Sequence, residues 1–228
     1  MTCGVARIAV YYAPAKADPL WRRATSWLGR DPETNAPCTQ PEIAGIAEAT
    51  ADPRLYGFHA TLKPPMRLAH GTDWAALVET AERVAGGIAP FDLPPLAVQD
   101  TFGFLALRET RASAQLQALS DAFVAGLDMH RAQPSEAELA RRRRSPLTPA
   151  QDAMLVRWGY PYVFETWFFH MTLTRRLSAP EHTMFRPAAE DYFAAALAES
   201  RRVEDVCLFT QPEARAPFTL ALRIPLRR

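Results

Sequence analysis

One five-residue phrase occurs twice in this chain, and it constrains the fold more than any other feature. Phe58-His59-Ala60-Thr61-Leu62 and Phe169-His170-Met171-Thr172-Leu173 both read aromatic, His, any residue, Thr, Leu. Five histidines and 17 threonines in 228 residues give about 0.4 chance His-x-Thr matches, and about 0.04 once Leu must follow. Two such matches by accident are therefore not expected. His70-Gly71-Thr72 is an internal control. It shares His-x-Thr but runs into Asp73 at a helix start, and reads as accidental.

The alternation of each phrase is that of a strand. His and Thr point to one face, and the aromatic, the middle residue and Leu to the other. Each strand thus buries an apolar face and presents an imidazole beside a hydroxyl. A polar pair on a half-buried sheet face needs partners or a ligand. A lone histidine of this kind reads as a core residue bonded to a carbonyl; a matched pair points to chemistry. Two imidazoles on one cleft can take a proton from an attacking oxygen and return one to a leaving alkoxide, because the histidine pKa lies near neutrality. Two threonine hydroxyls can donate to the oxygens of a phosphate ester as charge builds on them. His59, Thr61, His170 and Thr172 are the candidate catalytic residues.

The rest of the chain supplies a mixed frame. Arg7 to Tyr12 reads as a strand ending at Ala13-Pro14, and Asp18 to Gly29 as a helix with Pro19 in its first turn. Residues 30 to 42 are a loop, and Ile43 to Ala51 a short helix ahead of Asp52-Pro53. Phe58 to Leu62 is a strand closed by Pro64-Pro65. Helices follow over Asp73 to Ala85 and Ser113 to Leu127, with strands over Phe91 to Val98 and Phe102 to Arg108 between them. Ser135 and Thr148 open two helices of a charged hairpin that carries Arg141 to Arg144. Tyr162 to Arg176 reads as a strand, Pro187 to Ser200 as a helix, and Val203 to Phe209 and Phe218 to Ile224 as closing strands. The pattern predicts an α+β class with two similar halves: a single unit over residues 1–228, with lobe one at about 1–127, a helical insertion at about 128–160 and lobe two at about 161–228.

Composition removes several alternatives. Formal net charge is +1, so the balance itself points to neither nucleic acid nor membrane. Cys3, Cys38 and Cys207 are widely spaced and odd in number, which argues against a disulfide framework and a structural zinc site; free thiols in a reducing cytosol are expected. No HExxH is present and no acid adjoins either histidine phrase, so no metal is expected. The first apolar stretch, Ile8 to Ala13, is too short for a signal peptide or a span, and a cytoplasmic protein is expected.

The paired phrases resemble the signature of the 2H phosphoesterase superfamily, the LigT-like fold. More narrowly, Tyr56 to Pro65, Trp158-Gly159-Tyr160-Pro161-Tyr162 and Phe169 to Thr174 resemble a family of uncharacterised proteins linked to phosphonate-utilisation operons, as do Arg7 to Pro14 and Leu20-Trp21 to Gly29-Arg30-Asp31. The resemblance covers nearly the whole chain. It implies two antiparallel-sheet lobes around a concave cleft, no cofactor or metal, and a cyclic phosphodiester substrate, with the 128–160 hairpin as an addition. The narrower family implies a cyclic ribosyl phosphate.

Two further residues are substrate-binding candidates. Lys63 shares the face of His59 and Thr61 by alternation, and Tyr11 can line the cleft from the first strand. Arg108 and Tyr162 are weaker candidates than these two. Two rival readings stand beside hydrolysis of a small phosphate ester. One is action on RNA ends as a 2′,3′-cyclic phosphodiesterase or ligase-like enzyme, for which Arg141 to Arg144 is the basic candidate. The other is a catalytically silent nucleotide-binding module.

Overall fold

In a computed structural model, residues 7–228 are described; the expectations placed on Cys3 and the first six residues lie outside them. Strand β1 (Arg7–Tyr12) is buried from Ile8 onward because both its faces are covered. Helix α1 (Pro19–Leu28) starts where expected: Asp18 accepts a hydrogen bond from the Leu20 amide, and Gly29 ends it in the left-handed region at φ 79°. Helices α2 (Ile46–Ala49) and α3 (Ala51–Tyr56) follow. The break expected at Asp52-Pro53 does not occur, because Pro53 falls in the first turn of α3, where its missing N–H costs nothing.

Strand β2 (Ala60–Met66) begins after His59 and runs through Pro64-Pro65. The prolines are tolerated because β2 is irregular against β1 there, with register shifts after Tyr11↔Thr61 and again after Val10↔Lys63. Helix α4 (Trp74–Gly86) is capped by Asp73. The single strand expected over residues 91–98 is two, β3 (Phe91–Leu93) and β4 (Leu96–Thr101), parted by Pro94-Pro95. Strand β5 (Phe104–Glu109) and helix α5 (Ala114–Gly126) complete this stretch.

The charged hairpin is present as α6 (Glu136–Arg142) and α7 (Pro149–Trp158), each opened by a capping box. Arg143 of one arm pairs with Asp152 of the other at 2.7 Å, and Asp128 ties both Arg131 and Arg157 beneath them. Tyr162 to Arg176 is only partly strand. The Thr166 hydroxyl donates to the Pro161 and Val163 carbonyls and folds this stretch into a turn, leaving β6 as Met171–Arg176. Helix α8 (Ala179–Leu197) starts earlier than expected because Ser178 and Glu181 form a capping box, with Pro187 carried in its interior. Strands β7 (Arg201–Val203), β8 (Asp205–Gln211) and β9 (Thr219–Pro225) close the chain.

The class is α+β, as expected. Among the described residues, seven strands form one antiparallel sheet in the order β4-β5-β6-β2-β1-β8-β9, and β3 pairs with β7. The sheet has a seam: β2 and β6 share a single pair, Ala60↔Met171. It separates a half-sheet of β4, β5 and β6 from one of β2, β1, β8 and β9. Each half draws strands from both sides of the 128–160 segment. One sheet face packs on α1, α4, α5 and α8 in the main core, which takes Phe58, Ala60, Leu62, Phe169, Met171 and Leu173 from the repeated phrases. Burying a Phe or Leu side chain contributes about 1.5–3 kcal/mol. The apolar half of each phrase therefore anchors its polar half. A smaller cluster on the opposite face includes Tyr11, Trp21, Phe209 and Phe218. Among the described residues, no helix is long and apolar enough to cross a membrane.

Candidate active site

The seam brings the two phrases together. With Ala60 opposite Met171, antiparallel register sets His59 opposite Thr172 and Thr61 opposite His170. Residues directly opposite project to the same face, so all four polar side chains share the face turned away from the main core. The two histidines are diagonal neighbours, a relation that sets residues about 7–8 Å apart, with their Cβ atoms somewhat closer. All four line one cavity of about 370 Å³.

Each imidazole is fixed in the same way. His59 Nδ1 lies 2.9 Å from the Gly57 carbonyl and His170 Nδ1 lies 3.2 Å from the Phe168 carbonyl. A carbonyl only accepts, so each Nδ1 carries the proton and each neutral ring offers Nε2 as a base. Gly57 can supply that carbonyl because it sits at φ 76°, ψ 173°, a conformation open essentially to glycine. A Cβ there would also stand 2.6 Å from Pro32 Cβ.

The surroundings then differ. The Thr61 hydroxyl donates to His59 Nε2 at 3.2 Å. The Tyr11 ring stacks on the His59 ring at 3.6 Å between centroids. Burial lowers the His59 pKa to about 3, against the opposing effect of the Gly57 bond, and nearby His170 lowers it further. His170 meets Phe168 at 4.7 Å and the edge of Phe104 at 6.0 Å. Burial lowers its pKa as well, opposed by the Phe168 bond and aided by the Arg108 charge.

Of the two substrate-binding candidates, Tyr11 lines the cavity and Lys63 does not. Lys63 is 2% exposed, and its Nζ donates to the Val124 carbonyl in α5 at 2.9 Å. The cause is the first register shift in β2. Thr61 pairs with Tyr11, but Lys63 pairs with the adjacent Val10. Neighbouring residues of β1 face opposite sides, so the bulge turns Lys63 to the core. Burial brings its pKa down to about 8.

Sequence reasoning passed over several residues of the cavity wall. Arg7, Tyr56, Phe104, Tyr160 and Arg176 line it. So does Arg142, which lies over the Tyr160 ring at 4.5 Å; the sequence offered it only as part of a basic run. Tyr56 and Tyr160 each adjoin a glycine in the segments that carried the resemblance, which was the available signal. Cys38 and Cys207 are both unbonded. Among the described residues, no three His, Cys, Asp or Glu side chains group so as to hold a metal ion.

Fold and site define an α+β protein with two carbonyl-anchored histidines on one cleft. Residues 61–219 match the family described as "Protein of unknown function (DUF1045)", and the chain belongs to that family. A protein named ribose 1,5-bisphosphate phosphokinase PhnN from Janthinobacterium sp. (strain Marseille) is 39% identical over 228 residues, covering 96% of this chain and 50% of the relative. One of the same name from Laribacter hongkongensis (strain HLHK9) is 38% identical over 216 residues, covering 94% and 50%. The chain thus spans about half the length of the curated relatives it matches. Among solved structures, E. coli LigT complexed with 3′-AMP is similar over 99% of both chains, at TM-score 0.48 and 14% identity. A phosphoesterase crystal structure is similar over 98% of this chain and 99% of its own, at TM-score 0.44 and 15% identity.

Proposed function

We propose that this protein is a metal-independent phosphoesterase that hydrolyses a small cyclic phosphodiester. The observation that carries this reading is the matched anchoring of two imidazoles, each with Nδ1 on a backbone carbonyl and both on one cavity. His59, the ring whose neutral form is so strongly favoured, is the base, and its Nε2 takes a proton from the attacking water. The oxygen of that water bonds to phosphorus. The ring P–O bond breaks, and His170, protonated at Nε2, gives its proton to the leaving alkoxide. The product is a ring-opened phosphomonoester, and the second histidine is left neutral, with a proton to recover. Thr61, its hydroxyl turned away from His59 Nε2, and Thr172 donate to the non-bridging oxygens as charge builds there. An anionic substrate raises the pKa of both imidazoles, which supplies the protonated His170 that the free protein disfavours.

A phosphorylated ribose is the favoured substrate class. The cavity of about 370 Å³ suits a small ligand. The curated relatives, half of whose length this chain matches, are named for a ribose bisphosphate, and the operon resemblance is to phosphonate use. The test is a panel of cyclic phosphates, ribosyl, nucleoside and RNA-terminal, incubated with the chain in excess chelator and followed by 31P NMR. We expect ring opening of a small cyclic ester. Turnover confined to RNA ends moves the assignment to the RNA reading, turnover of none leaves a silent binding module, and activity restored only by added metal ends the two-histidine account.

A further inference from the structure

A second, smaller cavity adjoins the histidine cleft. Five arginines, Arg7, Arg67, Arg131, Arg141 and Arg142, line it, with Glu138 as the one carboxylate among its described lining residues. Its volume is about 60 Å³, room for a few waters or one phosphate-sized anion. The two cavities share Arg7, Pro65 and Arg142, so they adjoin one another.

The charges around it do not balance. Glu138 is taken by Arg67 at 2.8 Å, and Arg131 is held from behind by Asp128 at 2.8 Å. Arg7, Arg141 and Arg142 have no carboxylate partner among the described residues. All three line this one small cavity; burial lowers the Arg142 pKa, opposed by Tyr160 and Glu138 and aided by the like charges of Arg141 and Arg7. Arg131 is 8% exposed, and its Nη1 is buried with no hydrogen-bond partner. That nitrogen lies beside Gly159 in the same wall, 2.9 Å from where a Cβ would stand. Like charges gathered in a pocket repel at a cost that a bound anion removes, and guanidinium forks match phosphate oxygens in pairs.

We propose that this pocket is a second anion site, and that the substrate is a cyclic phosphodiester carrying a separate phosphomonoester which docks there. The inference rests on the reading above and names its substrate class more closely. It also gives the hairpin a task. Helix α6 delivers Arg141 and Arg142 to the rim of a cleft that the strands alone would leave open.

Two measurements test it. The first is kcat/KM for a nucleoside 2′,3′-cyclic phosphate with and without a 5′-phosphate. We expect the doubly phosphorylated ester to be favoured about 10- to 100-fold, the worth of a charge-assisted contact, and Arg141→Gln to collapse that ratio towards one while Arg141→Lys keeps part of it. The second is calorimetric titration with inorganic phosphate. We expect Arg141→Gln to weaken one class of site at least tenfold, and His59→Ala to leave that class intact. A wild-type ratio near one, or a titration that Arg141→Gln does not change, overturns the pocket. If neither ester is turned over, the hydrolase reading fails and the titration alone judges the anion site.

Discussion

His59 and His170 occupy the same word of the same phrase, yet the protein treats them differently. His59 is stacked on Tyr11, bonded to its own threonine and held neutral to about pH 3. His170 lies among Phe168 and Phe104, and its Nε2 makes no hydrogen bond to Thr172 among the described residues. Equal anchoring with unequal surroundings is what a base and an acid need. In the proposed mechanism both rings aim Nε2 at the phosphate while their proton affinities differ.

The largest expected effect tests whether both are needed. His59→Ala and His170→Ala should each lower kcat about 10²–10⁴-fold, the worth of one acid–base group. The double variant should lose less than the product, since the two serve one transition state. If either ring is dispensable, the comparison has no catalytic content. Next come the threonines. Thr61→Val removes a hydroxyl already bonded to its histidine and should cost about 10²–10³ in kcat, with Thr172→Val costing less. Equal losses would say that the asymmetry between the two threonines has no part in catalysis.

The pH dependence sharpens the division. In the free protein, a base with a pKa near 3 is competent above that value. An acid whose pKa burial has lowered below the ordinary 6.5 is competent only beneath its own. We therefore expect kcat/KM to peak in acid and to fall about tenfold per pH unit beyond its alkaline limb, with that limb below 6.5. A limb above 6.5 would reverse the sign of the burial effect at His170. The smallest effect belongs to His70→Ala, which shares His-x-Thr but lines none of the cavities described here; its kcat should stay within about twofold of the parent.

Legibility in the sequence followed range. The alternation within each phrase is a property of a few consecutive residues, so the face shared by His59 and Thr61, and the helix starts at Asp18, Asp73, Ser135 and Thr148, could be read directly. Lys63 could not. Its face depends on how β2 registers against β1, and a bulge is settled by the partner strand, not by the residues that bulge. Arg142 was legible as a charge but not as a wall of the cleft, because where α6 comes to rest is decided by contacts such as Glu138 with Arg67, far apart in the chain. The start of α8 was misread for a local reason. Pro187 looked like a first turn, while Ser178 and Glu181 nine and six residues earlier formed the cap. The seam itself, one pair of residues between two half-sheets, left no mark in the sequence.

Gly57 carries no side chain, yet it decides which nitrogen of His59 holds the proton. Its carbonyl meets Nδ1 from a backbone geometry that other residues avoid. Anyone grafting this site onto another scaffold by copying His59, Thr61, His170 and Thr172 would carry over four side chains and leave behind the peptide bond that orients the first of them. The imidazole would then be free to turn, or to move its proton to the nitrogen that must be bare. What has to be transplanted is a stretch of main chain, and the unit of inheritance at this site is a loop.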